Sequence, residues 1–295
     1  MKLKFWGVRG SIATPGPTTV KYGGNTTCIE IRTDENDLII LDAGTGLFQL
    51  ALTLFPELPL TCHLFITHTH WDHIQGLPFF IPSFIPGNIL KIHGAYDPIA
   101  RRDIREILSG QLQYCYFPVR EAELRSKLEY ITLKERQTIE IGSTTVTNIL
   151  MNHPVLSFGY RIESHGKSIF FTGDHEPLFN IYEPADDEYE EYNQFMIQKN
   201  QSILEFIRGV EILIADTSYT LEDYPLKKGW GHSTFDNNIA LAKAAGVKKL
   251  FFTHHEPTRS DDALERAFHE ALERNPRQPG DPEYLLAMEG LVVEL

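Results

Sequence analysis

The segment THTHWDH, Thr67 to His73, places His68, His70, Asp72 and His73 within six residues, directly after the apolar run CHLFI. Neutral imidazole and carboxylate are ligands for zinc, and also for manganese or iron. Side chains two apart in an extended segment share a face, so His68 and His70 can meet one ion together. A turn after His70 would send Asp72 and His73 toward a second ion. More metal-capable side chains stand where other apolar runs end: His153 after TTVTNILMN, Asp174 after KSIFFTG and His254 after KKLFFT. A lone His or Asp at a strand end is usually a turn or capping residue. Three of them added to a cluster of four predict a site for two divalent ions.

One histidine stands apart from that set. His232 lies in KKGWGHST, and three roles are open to it: another ligand, a structural histidine, or a proton donor. A proton donor must carry its proton at working pH, which a neighbouring carboxylate favours. Asp216, at the end of EILIAD, is the natural partner. Ser233 and Thr234 follow as helix caps, and the amides of that helix start could also meet a phosphate. His63, His93, His165 and His269 have no such context and read as structural or solvated.

Taken together, HTHWDH, His153, TGD at Asp174 and THH at His254 resemble the metallo-β-lactamase fold superfamily, from FWGVRGS to THHEP. The resemblance implies an α/β fold, an αββα four-layer sandwich, as a single hydrolase domain over residues 1–295. It implies that His68, His70 and His153 bind one metal, that Asp72, His73 and His254 bind the other, and that Asp174 bridges them. Within the superfamily, β-lactamases carry a cysteine near the position of Asp174 and flavo-diiron oxidoreductases typically a Glu where His70 stands. This chain has neither. ADTSY, GHST and AKAAGVKKLFFTHH are similar to the ribonuclease Z-like branch, which includes cyclic-nucleotide and other phosphodiesterases. In that branch an acidic residue and a histidine corresponding to Asp216 and His232 are thought to cooperate in protonating the leaving group, with Glu the more familiar acid. Two ions can acidify a shared water and clamp phosphoryl oxygens. A sugar alkoxide then needs a proton, for which His232 is suited, and Asp72 could orient the attacking oxygen as well as ligate.

The elements that must position these residues are legible as periodic runs. LKFWGV, TCIEIRT, DLIILDAG and CHLFITH read as strands, with a helix over GTGLFQLALTLF. DPIARRDIREILSG reads as an amphipathic helix closed by Gly110. KLEYITL, QTIEIG, TTVTNILM, SFGYRIE and KSIFFTG are β-like. The last third alternates: helix from about Tyr192 to Arg208, strand EILIAD, helix TFDNNIALAKAAG, strand KKLFFTH and helix DDALERAFHEALERN. Strands in both halves, each half ending in helical material, predict two sheets packed face to face with helices outside. GGN at Gly23 to Asn25 lacks the spacing of a dinucleotide-binding loop and reads as a turn.

Composition narrows the substrate. The 295 residues are 42% hydrophobic and 23% charged, ordinary for a soluble globular protein, with a formal net charge of −13. An acidic chain is a poor partner for long nucleic acid unless basic residues cluster, and the clusters here are small: Arg101, Arg102 and Arg105; Lys227 and Lys228; Lys248 and Lys249. The link from His153 to Asp174 is too compact for the tRNA-gripping arm of ribonuclease Z. EPADDEYEE, Glu183 to Glu191, adds six acidic residues that would repel a polyanion if they lie near the mouth. The apolar GLPFFIPSFIPGNIL, Gly76 to Leu90, suits a lid, a dimer contact or a buried loop. As a lid, its Phe79, Phe80 and Phe84 could stack a nucleobase. The expected substrate is a small phosphodiester such as a cyclic nucleotide. A ribonuclease Z-like RNA endonuclease and a thioester or lactone hydrolase of the same fold are the alternatives. Cys28, Cys62 and Cys115 form no CxxC pair, and neither a signal core nor a membrane span is visible. The expected location is the cytoplasm, without a membrane partner. A homodimer is common in the branch the chain resembles.

Overall fold

Alternation along the strands decides the layering. In the strand Thr61–Phe65, Cys62 and Leu64 face one way and Phe65 the other, into two separate apolar clusters. The same split recurs at Leu250, Phe251 and Phe252. Each sheet therefore buries both faces, one against the other sheet and one against helices, as period-two side-chain direction requires. The computed structural model describes residues 1–295.

Chain order gives β1 (Lys2–Gly7), β2 (Cys28–Arg32), β3 (Leu38–Leu41), α1 (Gly46–Thr53), β4 (Thr61–Phe65), α2 (Trp71–Ile74), β5 (Ile89–Ala95), α3 (Ile104–Gln111) and β6 (Lys127–Leu133). Then follow β7 (Thr138–Ile141), β8 (Thr144–Met151), β9 (Ser157–Ser164), β10 (Lys167–Phe171), α4 (Tyr189–Ile207), β11 (Ile212–Asp216), α5 (Tyr224–Lys227), α6 (Phe235–Ala245), β12 (Lys249–Thr253), α7 (Asp261–Arg274), β13 (Glu283–Leu286) and β14 (Val292–Glu294). The first sheet has the order β14-β1-β2-β3-β4-β5-β6 and the second β13-β12-β11-β10-β9-β8-β7. Strands β3 to β6 are parallel, as are β10 to β13, and the remaining neighbours are antiparallel.

Phe5, Ile31, Leu41 and Phe65 of the first sheet meet Tyr160, Ile169, Phe171 and Ile214 of the second in the central core. The outer face of the first sheet packs on α1 and α3 through Leu47, Leu50, Ile104 and Leu108. The outer face of the second packs on α4, α6 and α7 through Ile203, Ile207, Ile239, Leu264 and Ala267. This is the expected αββα four-layer sandwich.

Several boundaries depart from the sequence reading. Helix α3 starts at Ile104, not near Asp97, because Asp103 forms a capping box with Glu106. It also runs through Gly110 rather than ending there. Helix α4 begins at Tyr189. Strands β5, β13 and β14 carry no prediction. In β5 the polar Lys91 and His93 interrupt the apolar pattern. His93 is nevertheless buried, stacked on Phe65 at a centroid distance of 4.2 Å and 3.2 Å from the His63 ring through Nε2 and Nδ1. No helix is long and apolar enough to cross a membrane.

Candidate metal centre

Parallel strands β3, β4, β10, β11 and β12 end on the same rim of the sandwich, and the predicted residues stand just beyond those ends. Beyond β4 the chain bends at Thr67, is extended at His70 (ψ 151°) and then turns into α2, so His68 and His70 fall in one donor group and Asp72 and His73 in another. His153 follows β8, Asp174 follows β10, and His254 follows β12 with a φ of +58°. Gly173, with φ +59°, brings Asp174 to the rim. A Cβ there would meet the Thr67 side chain at 2.8 Å.

The seven predicted ligands converge in two sets. Nε2 of His68 and Nε2 of His153 lie 3.0 and 3.1 Å from Nδ1 of His70, and 3.5 and 3.9 Å from Oδ2 of Asp174. Nε2 of His73 and Nε2 of His254 lie 3.2 and 3.1 Å from Oδ2 of Asp72, and 3.2 and 3.3 Å from Oδ1 of Asp174. Within each set of four the donor atoms all lie within 4.8 Å of one another. Asp174 offers one oxygen to each. Two buried atoms facing the second set, His73 Nε2 and Asp174 Oδ1, lack any hydrogen-bond partner. Such an atom costs about 1–3 kcal/mol when left unsatisfied. A cation between them satisfies both, so the donors present fit divalent metal.

The outward nitrogens are held as metal-ligating imidazoles require. Thr67 Oγ1 gives its proton to Asp42 Oδ2 (2.9 Å) and so accepts from His68 Nδ1 (3.1 Å). His73 Nδ1 donates to the buried Asp42 Oδ2 at 2.8 Å, and His153 Nδ1 to the Gly231 carbonyl at 3.0 Å. Ser218 Oγ lies 3.0 Å from His254 Nδ1. The Ser11 amide donates to Asp72 Oδ2 at 2.7 Å. Burial pushes His68 well below its ordinary pKa, and lowers His70 and His153. At His73 and His254 burial is outweighed by Asp174 and further carboxylates, which hold both imidazoles well above it.

His232 sits beside this centre. Its Nδ1 is 2.9 Å from Asp216 Oδ2, its ring stacks on His254 at 4.8 Å, and Tyr219 meets it edge-on. Burial opposes charge on His232, but Asp216 and then Asp174 overcome it and raise its pKa. Nδ1 is taken, so Nε2 is the atom open to a ligand. Asp174, Asp216, His232 and His254 also form a donor group within 4.8 Å. That group reuses Asp174 and His254, and would need the His232 nitrogen already held by Asp216. His255, next to His254, turns away and contacts the Ala287 carbonyl through Nε2 at 2.9 Å.

A cleft of about 500 Å³ opens over the site, lined by Ser11, Thr69, His70, Trp71, Asp72, Asp174 and His232. The run Gly76–Leu90 is not its lid. Leu77, Phe80, Pro82, Ser83 and Leu90 are buried, and Phe80 belongs to the cluster under α1, because short helical turns fold the segment onto the outer face of the first sheet. Phe79 is exposed and packs edge-on to Phe117. At α6, Thr234 is the cap, accepting from the Asn237 amide. Ser233, Thr234 and Phe235 are buried, which closes that helix end to phosphate.

Sequence reasoning missed several residues. Asp42 stands at a strand exit like Asp174, and the same signal could have found it. Glu176 had no local signal. Its buried carboxylate accepts from Tyr224 Oη (2.7 Å), the Gly229 amide (2.9 Å) and the Gly231 amide (2.9 Å). It thereby ties down the loop that carries both His232 and the carbonyl holding His153.

A family model described as "Beta-lactamase superfamily domain" matches residues 38–255. Ribonuclease Z of Staphylococcus haemolyticus is 24% identical over 285 residues, covering 86% of this chain and 88% of the relative. The metallo-β-lactamase fold protein YhfI of Bacillus subtilis superposes with a TM-score of 0.68 at 20% identity, covering 99% of each chain. A diphosphatase of the PhnP family superposes with a TM-score of 0.63 at 18% identity, covering 100% of this chain and 97% of that one.

Proposed function

The chain belongs to the β-lactamase superfamily and is a metal-dependent hydrolase, and on that premise we propose that it cleaves a small phosphodiester such as a cyclic nucleotide. His68, His70 and His153 would hold one divalent ion and Asp72, His73 and His254 the other, with Asp174 offering an oxygen toward each set. Imidazole nitrogen and carboxylate oxygen suit zinc, with manganese or iron as alternatives. Bound there, two such ions supply Lewis acidity to phosphoryl oxygens and lower the pKa of water.

The chain's own residues then divide the work. Asp72 keeps Oδ2 against the Ser11 amide and the His73 and His254 rings, leaving Oδ1 to orient the attacking water. His232, held through Nδ1 by Asp216, presents Nε2–H to the departing alkoxide. The observation that carries the reading is this pair, at 2.9 Å, with His232 on the wall of the cleft and Asp216 buried behind it. General acid catalysis of this kind contributes on the order of 10²–10⁴-fold.

Surface charge and cleft volume favour a small substrate. Phe179 carries Lys228 over its ring at 4.2 Å, on the loop leading to His232, and the acidic run Glu183 to Glu191 follows it in sequence. Glu183, Asp186, Asp187, Glu188, Glu190 and Glu191 are all exposed. A long polyanion is repelled there, whereas a cleft of about 500 Å³ suits a nucleotide-sized ligand. The similarity to a ribonuclease Z favours RNA cleavage as the second reading. We take the protein as one domain over residues 1–295, acting in the cytoplasm as a homodimer, and the free thiols of Cys28, Cys62 and Cys115 suit a reducing compartment.

The test is a substrate panel on protein loaded with zinc or manganese: cyclic nucleotides, bis(p-nitrophenyl) phosphate, precursor tRNA, a thioester and a lactone. Cyclic-nucleotide hydrolysis should lead. His232→Ala should damage it more than cleavage of the activated aryl diester, whose leaving group needs less protonation. Turnover of thioester or lactone without any phosphodiester would overturn the proposal.

A further inference from the structure

The cleft has a single apolar wall residue, Trp71, and it is 80% exposed. A large aromatic left in water forgoes the burial that usually places it inside. Its position is fixed on both sides. His70 precedes it in the first ligand set, Asp72 follows it in the second, and it is the first residue of α2. The Trp71 backbone is therefore anchored beside the reacting centre, at the start of α2, and its indole lines the cleft. None of Phe79, Phe80 and Phe84 lines the cleft, so Trp71 is the aromatic that a ligand there would meet.

We infer that Trp71 is a stacking platform that selects phosphodiesters bearing an aromatic base. This rests on the phosphodiesterase reading and narrows its substrate class to nucleotides over plain sugar or alkyl diesters. A planar base laid on the indole leaves the phosphate directed at the Asp72–Asp174–His232 side of the cleft. Base–aromatic stacking tolerates any base, because every base has a π-face. Trp71 thus separates nucleotides from base-free phosphates without separating one base from another.

Binding decides the matter without turnover. Adenosine 5′-monophosphate and ribose 5-phosphate are titrated calorimetrically into the zinc-loaded protein and its Trp71→Phe, Trp71→Leu and Trp71→Ala variants. Loss of the stack should weaken the adenosine nucleotide about 5- to 150-fold in the Leu and Ala variants, while Phe retains most of the affinity. Adenosine nucleotide should quench tryptophan fluorescence in the wild type, and that quench should vanish in Trp71→Phe although binding persists. Ribose 5-phosphate should bind the wild type as weakly as the nucleotide binds Trp71→Leu. Equal wild-type affinity for the two ligands, or wild-type nucleotide affinity in Trp71→Leu, overturns the inference. Failure of the phosphodiesterase reading shows separately, as absence of phosphodiester turnover.

Discussion

Glu176→Gln and Glu176→Ala test how His232, the proposed proton donor, is held. The wild-type carboxylate takes three donors: Tyr224 Oη and the Gly229 amide on Oε1, and the Gly231 amide on Oε2. A hydrogen bond to a charged acceptor contributes roughly 1.5–3 kcal/mol, so the three together set a ceiling of roughly 4–9 kcal/mol. The segment from Tyr224 to Gly231 need not lose that much, since it can open and let water satisfy the freed donors. The cost then appears as a looser loop rather than a less stable fold. Losing about 2–3 kcal/mol of local closing free energy raises the open population about 30- to 150-fold. Lys227 and Lys228 lie in this loop, so trypsin cleavage after them should accelerate by a similar factor when it tracks the open state. Glutamine can satisfy one side of the carboxylate only, its NH₂ facing a donor on the other, so its effect should be intermediate. Cyclic-nucleotide turnover should fall with loop order, because the same loop carries His232 and the Gly231 carbonyl. Wild-type trypsin resistance and turnover in Glu176→Ala would refute the reasoning.

Asp42→Asn keeps the shape but withdraws the charge that orients His73. Loss of such a partner typically lowers metal affinity 10- to 100-fold, and competition with a chelator should show it at the second ion. Gly10→Ala should also weaken loading, because a Cβ there lies 2.3 Å from the His254 ring. Metal content after dialysis measures this, and full retention of two ions would contradict it. His63 and His93 are depressed to about 4 and about 3, chiefly by burial. Their folded values lie below the unfolded one, so their stabilisation is complete above pH 6.5 and is lost as pH falls toward 4 and then 3. His93→Phe, stacked on Phe65 in the same plane, should flatten the fall of melting temperature over that range.

The convergence of the candidate metal-site residues was readable because they follow apolar runs, and strand ends deliver side chains to one rim of the sandwich. The layers were readable because continuous apolar runs mark strands buried on both faces, as at Leu38–Leu41 and Ile212–Asp216. What escaped depends on partners remote in sequence. Asp42 acts on His73, 31 residues on, and Glu176 on amides 53 and 55 residues on. The strand exit marks Asp42 as a candidate but does not name His73 as its partner, and nothing near Glu176 marks it at all. For Gly76–Leu90 the sequence left a lid, a dimer contact and a buried loop open, because short apolar, proline-rich stretches have no period that separates them, and the structure shows the packed loop. Helix α3 was started too early because the amphipathic spacing extends upstream of the Asp103 cap at which the helix begins.

The ligands are drawn from the full span of the fold: His254 meets Asp72 across 182 residues, and Arg9 ties the first loop to Asp261 across 252. During synthesis, therefore, the first ligand set can gather once β10 has left the ribosome. The second must wait for β12, and the N-terminal brace on it for α7. An ion captured early would find His68, His70, His153 and Asp174 but only part of the second set. The nascent chain thus has an order of assembly written into its topology, in which the catalytic pair of sites is completed only after nearly all of the sandwich has been made.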